Sequence, residues 1–457
     1  MTERTRFISL IGGTLLTCGL LFAASPQQSP APPGQQKPEE KQSRTKEAEE
    51  MLYGNTPEEL KPFGRFVKEP YKRYFVPGDS PVMFWGPGRE KTIVEPSTLK
   101  SIKIGVIAPI ERSYETYVGR SVVNGMQLAL DDANAGGGYR GTPFEAVVKN
   151  DSGLWGATAN EIVDLTYEDK TWAVIGTVDG ANTHIAIRVA LRTDIPMVNV
   201  ADLDPTLVET RIPWVVRVIP DDRQQMYTLA FYLYKQLGLS NVAILRASNR
   251  YGRFGVAQFR KGSIRLGKPA PIEVNYEPNW DKVNPDFTVQ MERLEKVQPE
   301  AVVLWADAEP AGVIVKKMRE RGLKMPVLAC ERVVHESFLK AAGQAAEGVI
   351  ATYPYNPDNG NPRLLEFRRK YRSKYGSDPD AYAVHSYDGT LMAVEAIRKA
   401  GLNRYLIRDA LAEMRQVDGI SGEIIIDEAL SNRRPVTVAT VQGGKFVFGL
   451  PKLNQVF

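Results

Sequence analysis

An apolar strand, a polar loop and a long amphipathic helix follow one another directly, and this order constrains the fold more than any other feature of the chain. The continuous apolar run at 102–107 predicts the strand. Apolar residues recur at helical spacing over 122–133 before a glycine stop at Gly136, which predicts the helix. A second strand is predicted over 144–153. This βα unit with its following strand is the building block of an α/β fold.

Strand and helix patterns alternate along the rest of the chain. Short apolar runs predict strands at 172–176, 196–200, 242–246, 301–305, 326–329 and 348–353. Amphipathic or glycine-terminated stretches between them predict helices, for example at 222–238, 310–322 and 364–376. Alternation at this spacing predicts mostly parallel sheets that are flanked by helices.

The N-terminus predicts secretion. Arg4 and Arg6 precede an apolar run from Ile8 to Ala24, and small residues follow it, so residues 1–24 are interpreted as a cleaved signal peptide and the protein is expected in the periplasm. An uncleaved membrane anchor and a lipoprotein with a lipidated Cys18 are the alternatives. The second of these is disfavoured because much of the apolar run follows the cysteine.

Two further segments separate the signal from the folded body. Residues 25–47 are rich in proline, glutamine and charge, and they cannot bury enough apolar surface to offset their ordering entropy, which predicts a disordered linker. Residues 48–100 carry scattered aromatics without any period. We interpret them as an irregular extension that either packs on the body or docks a partner.

Composition and motifs exclude several functional classes. The 457-residue chain is 43% hydrophobic, and its net charge of only +4 with no basic helix argues against a nucleic-acid partner. The three histidines lie far apart in sequence and only two cysteines occur, so no metal site is predicted. Neither a glycine-rich dinucleotide loop nor a G-x-S-x-G elbow is present. We therefore predict no cofactor and no catalytic residues.

Several segments in their order along the chain carry a family resemblance, among them AVIGTVDGANT from Ala173, AILRASNRYGRFG from Ala243 and AYAVHSYDG from Ala381. With them the chain resembles the branched-chain amino-acid-binding proteins, a family of type I periplasmic binding proteins that serve ABC transporters. The resemblance implies two lobes, each a mostly parallel sheet flanked by helices, joined by a hinge of three crossings. It places lobe I at 101–220 with about 355–430, and lobe II at 221–354 with about 431–457.

The same resemblance implies a function. The protein is expected to capture a small polar ligand, an amino acid or a related amide or organic acid, between its lobes and to deliver it to an ABC permease. It is expected to act as a monomer. The alternatives are a subunit that reports a ligand to a membrane receptor, and a periplasmic enzyme on the same fold.

In lobe I the candidate ligand-binding residues follow predicted strands, where helix N-termini direct unpaired N–H groups outward. Asn182 and Thr183 open a helix, where they either hold a ligand carboxylate or only cap the helix. The resemblance adds the backbone of Ala201, the neighbouring Asp202, and Tyr117 as a ring that closes over the ligand. The chain departs from the family at two positions that bind the carboxylate, where Gly180 and Leu203 replace hydroxyl residues.

In lobe II the resemblance aligns Glu331 with the carboxylate that receives a ligand ammonium group. A buried glutamate requires either a cationic ligand group or a partner such as Arg332. Tyr251 is aligned with a ring that closes over the ligand, or else it is a structural tyrosine ahead of a turn glycine. Asp307 adds to an acidic cleft unless it is a solvated loop residue. For Tyr382, with His385 and Tyr387, core and hinge packing is expected.

Overall fold

The computed structural model describes residues 98–209, 212–278, 286–427 and 429–449. The signal peptide, the linker and nearly all of the extension predicted from the sequence lie outside these residues. Within the described ranges, no helix combines the length and the apolar character that crossing a bilayer requires.

The first sheet has five parallel strands in the order β2-β1-β3-β4-β5. They are β1 Ile102–Ala108, β2 Phe144–Asn150, β3 Val174–Gly176, β4 Met197–Asn199 and β5 Val215–Arg217.

The second sheet has seven strands, and its order is β14-β13-β10-β9-β8-β6-β7. Its parallel part consists of β6 Val242–Ala247, β7 Ile272–Tyr276, β8 Ala301–Trp305, β9 Val327–Ala329 and β10 Ile350–Tyr353. The two antiparallel edge strands are β13 Thr437–Gln442 and β14 Lys445–Phe448. A separate antiparallel hairpin is formed by β11 Gln416–Gly419 and β12 Gly422–Ile425.

Helices follow most strands. They are α1 Thr116–Ala135, α2 Trp155–Tyr167, α3 Gly180–Thr193, α4 Thr206–Glu209, α5 Asp222–Phe231, α6 Arg250–Arg265, α7 Thr288–Val297, α8 Ala308–Glu320, α9 Glu336–Ala342, α10 Pro362–Tyr375, α11 Ala381–Ala400 and α12 Arg404–Glu413. A π-helical turn, Tyr232–Gln236, extends α5, and a 3₁₀ turn, Glu331–Val333, follows β9.

The strands have continuous apolar sequences because both faces of each parallel sheet are covered. In β1, Ile104 and Val106 belong to the core beneath α1 and α11, whereas Ile107 belongs to the core beneath α2 and α3. All five residues of β8 are buried in the core of the second sheet. The predicted architecture of mostly parallel sheets flanked by helices is confirmed.

We call the five-stranded sheet with its helices the first lobe and the seven-stranded sheet with its helices the second lobe. Helices α10 and α11 pack on α1, so the chain returns to the first lobe after β10. It reaches the second lobe again with β13. The predicted lobe segments, their boundaries and the three-crossing hinge stay predictions.

Two segments that pass between the lobes are bound to each other. Arg217, which is fully buried, donates to the Ser431 hydroxyl from Nη2 at 2.8 Å and to the Asp204 carbonyl at 2.6 Å, and it pairs with Asp221. The backbone N–H of Asn432 donates to the carbonyl of Arg217 at 2.9 Å. The buried guanidinium is thus neutralised and fixes both segments side by side.

A glycine allows the closest helix contact of the first lobe. A Cβ added at Gly125 in α1 would lie 2.1 Å from the carbonyl oxygen of Ala383 in α11. We expect Gly125→Ala to lower the free energy of unfolding by about 1–3 kcal/mol, because the helices must separate. The control is Gly156→Ala in α2, where an added Cβ meets nothing within 4 Å. This variant should gain up to about 1 kcal/mol from helix propensity. Urea denaturation measures both, and equal changes in the two variants would contradict the packing argument.

Candidate functional site

The candidate residues lie at the carboxyl ends of parallel strands from both lobes. Loops after β1, β3 and β4 belong to the first lobe, and loops after β6, β8 and β9 belong to the second. In open parallel sheets this end carries the ligand site, since helices begin there with unpaired N–H groups. The two sets of loops meet across a cleft, which is where the structure brings the candidate side chains together.

Glu331 is the centre of the second-lobe side and is 2% exposed. The Tyr251 hydroxyl lies 2.9 Å from each of its carboxylate oxygens, and Gln225 donates to Oε2 at 2.8 Å. The Tyr382 hydroxyl, which comes from α11 in the first lobe, donates to Oε1 at 3.0 Å. Burial raises the pKa of both tyrosines well above the usual value, so both hydroxyls stay protonated and donate. Each carboxylate oxygen thus has two neighbouring donor groups.

Arg332 follows Glu331 in the chain and is also buried. Its Nη2 is 2.7 Å from Glu115 Oε1 of the first lobe, and its Nη1 donates to Asp307 Oδ1 of the second lobe at 2.8 Å. Its Nε is 3.9 Å from Glu331 Oε1, a longer contact. Arg332 therefore joins the two lobes and is shared by three carboxylates.

Aromatic rings support this guanidinium from below. The carbon Cζ of Arg332 lies 3.7 Å from the centroid of the Tyr251 ring, and that ring stacks on Trp305 with the two centroids 5.6 Å apart. A cation over an aromatic face is attracted by the ring quadrupole. Tyr251 thus supports a cation with its ring and a carboxylate with its hydroxyl.

The helix-opening residues of the first lobe are engaged within that lobe. Asp179 caps α3 by accepting from the Ala181 N–H at 2.8 Å, so the interpretation of Asn182 and Thr183 as caps is wrong. Asn182 donates to Asp151 at 3.0 Å. The Thr183 hydroxyl donates to the Asp179 carbonyl at 3.0 Å, and Thr177 lies 2.7 Å from it. Both side chains are therefore hydrogen-bonded within their own lobe, and their contact with a ligand stays a prediction.

Of the other three candidates of the first lobe, Ala201 and Asp202 are buried and Tyr117 is half-buried. Ala201 is fully buried just after β4. Asp202 is 4% exposed, and its Oδ2 has no hydrogen-bond partner among the described residues. The Tyr117 ring packs on His335 with the centroids 5.2 Å apart, and its buried hydroxyl likewise has no partner in the described part of the chain.

Further contacts hold the lobes together at the mouth of the cleft. Arg250 of α6 pairs with Asp204 at 2.7 Å, and Asn249 donates to the Tyr114 hydroxyl at 3.1 Å. A cavity of about 570 Å³ lies beside this ion pair, lined by residues of both lobes such as Trp155 and Phe254. A larger cavity of about 800 Å³ lies elsewhere, near the first residues of β1 and the start of α12.

Sequence reasoning missed several groups of this site. It gave Tyr382 a packing role, but its hydroxyl reaches Glu331 of the other lobe. Glu115 and Gln225 received no role, although the first pairs with Arg332 and the second binds Glu331. The only sequence signal for Glu115 and Gln225 was their position. Glu115 lies directly before a helix that follows a strand, and Gln225 lies in the first turn of another such helix.

Burial changes the charge state of several of these carboxyls. Burial raises the pKa of Glu115 to about 8, against the opposing effect of Arg332. It also raises the pKa of Asp202 and of Asp222 well above the usual range, and nearby carboxylates add to both shifts. These three carboxyl groups are therefore largely protonated near neutral pH.

Comparisons with known proteins agree with this geometry. The family model described as "Periplasmic binding protein" matches residues 101–445. A Leu/Ile/Val-binding protein homologue from Brucella abortus is 26% identical over 341 residues, which cover 72% of this chain and 87% of the relative. The structure of a leucine-binding protein from Thermotoga maritima has a TM-score of 0.70 and 25% identity, and it covers 76% of this chain and 98% of its own. A branched-chain amino-acid transporter substrate-binding protein from Streptococcus pneumoniae, in complex with isoleucine, has a TM-score of 0.69 and 22% identity, covering 77% of this chain and 100% of its own.

The raised pKa of Glu115 predicts how stability depends on pH. Between its usual pKa of 4.5 and about 8 the folded state keeps a proton that the unfolded state releases, so this group lowers stability as pH rises. We expect Glu115→Gln to reduce the fall of unfolding free energy between about pH 5.5 and 7.5 by up to about 1.4 kcal/mol per pH unit. The control is Glu111→Gln at an exposed carboxylate. Urea denaturation at several pH values measures the slopes, and a Glu115→Gln slope equal to that of wild type would contradict the assignment.

Proposed function

The chain belongs to the periplasmic binding protein family, and from this premise we propose that it captures a small polar solute with an amino group in the cleft between its lobes. It is a binding protein and not an enzyme. We propose further that it delivers the solute to the membrane permease of an ABC transporter, as a monomer secreted into the periplasm. The Streptococcus pneumoniae protein with this fold is the substrate-binding protein of a branched-chain amino-acid transporter.

One observation carries the proposal. Glu331 accepts hydrogen bonds from Tyr251 and Gln225 of the second lobe and from Tyr382 of the first. Side chains of both lobes therefore hold the buried carboxylate in place, where a ligand ammonium group can pair with its charge. Because a closed cleft excludes water, a charged hydrogen bond formed there is stronger than at the surface.

Contacts between the lobes give a reason for closure on ligand binding. The pairs Arg332 with Glu115, Arg250 with Asp204, and Tyr382 with Glu331 exist only when the lobes meet. A solute that contacts both lobes adds to them and shifts the population toward the closed state. Bound solute therefore lowers the population of the open state, which lacks these contacts, relative to that of the closed state.

Closure predicts a change in size. A thermal-shift screen of the purified protein against amino acids, amines, amides, polyols and aromatic acids identifies a solute, since a ligand that binds only the folded state stabilises it. With this solute at saturation we expect a smaller radius of gyration than in its absence, measured by small-angle X-ray scattering. An unchanged radius at saturation would contradict capture between moving lobes.

The role of Glu331 is tested by substitution. Glu331→Gln keeps the shape and removes the charge, and losing a desolvated charged hydrogen bond should weaken binding by about 2–4 kcal/mol, roughly thirty-fold to a thousand-fold. Tyr251→Ala should cost less, about 1–3 kcal/mol, because it removes apolar cover and one hydrogen bond to Glu331 but leaves the carboxylate charge in place. Calorimetry with the identified solute measures both variants.

A matched control separates charge at the site from charge in general. Glu336→Gln alters an exposed carboxylate only five residues away, and we expect its affinity to equal that of wild type. If Glu331→Gln also binds as tightly as wild type while Tyr251→Ala does not, stacking holds the ligand and the role of the carboxylate is wrong.

A further inference from the structure

The cavity of about 800 Å³ lies at the end of the first sheet that is opposite to the candidate ligand site. Its walls come from the first residues of β1 and β2, the segment before β3, the C-terminal end of α3 and the start of α12. All five strands of this sheet are parallel, so their amino ends lie together here. The candidate ligand residues follow the carboxyl ends instead. This cavity is therefore separate from the proposed ligand site.

Apolar side chains form part of its wall. Trp172 is half-buried and packs against the core of the first lobe. Leu402 and Tyr405 are buried beside it, and Leu99 is 37% exposed at the edge of the cavity. Covering the exposed parts of Trp172 and Leu99 with a further apolar side chain would remove apolar surface from water, which is favourable.

The same cavity contains a cation without a partner. Lys103 is half-buried, and its ammonium group forms no hydrogen bond or ion pair with any described residue. Its neighbour on β2, Glu145, accepts from the Ser101 hydroxyl instead, and Asp169 lies 3.1 Å from Lys149. A carboxylate beside a partly desolvated ammonium group forms a strong hydrogen bond. The cavity can therefore accept an apolar side chain together with a carboxylate.

The chain itself carries such a pair of side chains next to the cavity. Leu99 lines the cavity, so the residues that precede it are joined directly to its wall. In the sequence, Ile93 and Val94 come shortly before it, and Glu95 follows them. An extended chain spans about 3.3 Å per residue, so Ile93 can lie at most about 20 Å from Leu99. A segment tethered this closely has a high effective concentration at the cavity.

The sequence of this segment favours an extended backbone. Pro96 disfavours helical backbone at Glu95, and the β-branched Ile93 and Val94 favour extended structure. Side chains alternate between the two sides of an extended chain. Ile93 and Glu95 are therefore expected on one side, and Val94 on the other. An apolar group and a carboxylate on one side match the apolar wall and the lysine of the cavity.

We propose that residues 92–96 dock in this cavity, with Ile93 against the ring of Trp172 and Glu95 paired with Lys103. Docking there fixes the end of the N-terminal extension to the side of the first lobe that is remote from the cleft. The extension then stabilises the first lobe and leaves the ligand site uncovered. This inference goes beyond the proposed capture of a solute and is independent of which solute the cleft binds.

Fluorescence of Trp172 in the chain from Ser25 onward tests the position of the segment. Subtracting the emission of a Trp172→Phe variant, made in each background, isolates the signal of this one tryptophan. We expect Ile93→Asp to shift that emission to longer wavelength and to increase its quenching by acrylamide, because the ring loses its apolar cover. The matched control is Val94→Asp, whose side chain is expected on the other side of the segment, and its signal should equal that of wild type.

Thermal unfolding of the same variants tests whether the contact stabilises the fold. We expect Ile93→Asp to lower the melting temperature by about 2–4 °C and Val94→Asp to leave it unchanged. In a Trp172→Leu background, which removes the contact from the cavity side, Ile93→Asp should have a smaller effect. Equal shifts for Ile93→Asp and Val94→Asp would overturn the proposed docking.

A second pair of residues makes the test independent of the apolar contact. Glu95→Gln and Lys103→Gln should each lower the melting temperature, and the double variant should lower it by less than the sum of the two. Additive effects would overturn the pairing of Glu95 with Lys103. If the extension serves only to dock a partner, neither the Trp172 signal nor the melting temperature responds to Ile93→Asp, and the proposal is wrong.

Discussion

The guanidinium of Arg332 is buried where the two lobes meet, and a buried charge is tolerated only when it is paired and hydrogen-bonded. One partner, Glu115, comes from the loop after β1, and the other, Asp307, comes from the loop after β8. The second lobe supplies Asp307 and the first lobe supplies Glu115, so the guanidinium has its complete set of contacts only when the lobes meet. Breaking such a buried pair costs more than the net stabilisation that the complete pair gives. For this reason the contact between the lobes and the pairing of charges in the cleft depend on each other.

The same argument extends to the neighbours of Arg332. Its guanidinium lies on the Tyr251 ring, which stacks on Trp305 at the end of β8, so a rigid strand sets the position of the charge. The hydroxyl of Tyr251 is thereby directed at Glu331. Tyr382 reaches that carboxylate from the other lobe. Side chains at strand ends and helix starts are held more precisely than side chains on long loops, which is why a small number of contacts can define a site between two bodies.

Local sequence patterns predicted those parts of the fold that depend on local physics. The apolar run of β8 and the helical spacing of α1 are visible in the sequence because both follow from burial of one short element. No individual strand was predicted for β13, β14 or the hairpin β11-β12. These strands pair in antiparallel fashion at the margin of the fold. In the site, resemblance supplied Tyr251, Asp307 and Glu331, which the structure places together, and their contact with a ligand stays a prediction. The role of Tyr382 was not visible, because it depends on the approach of α11 to a turn 51 residues away in sequence.

The glycine at position 180 shows why this cleft cannot be understood by replacing one residue of an amino-acid binder at a time. In the sequence, Gly180 shows only that the hydroxyl expected from the family resemblance is missing. In the structure its missing side chain is the space in which Arg250 and Asp204 form their ion pair. A serine there would come too close to that pair, so the side chains of Arg250 and Asp204 would have to shift. The missing side chain at Gly180 and the contact between the lobes are therefore physically linked. A ligand that leaves this ion pair in place keeps one of the contacts by which the lobes are closed.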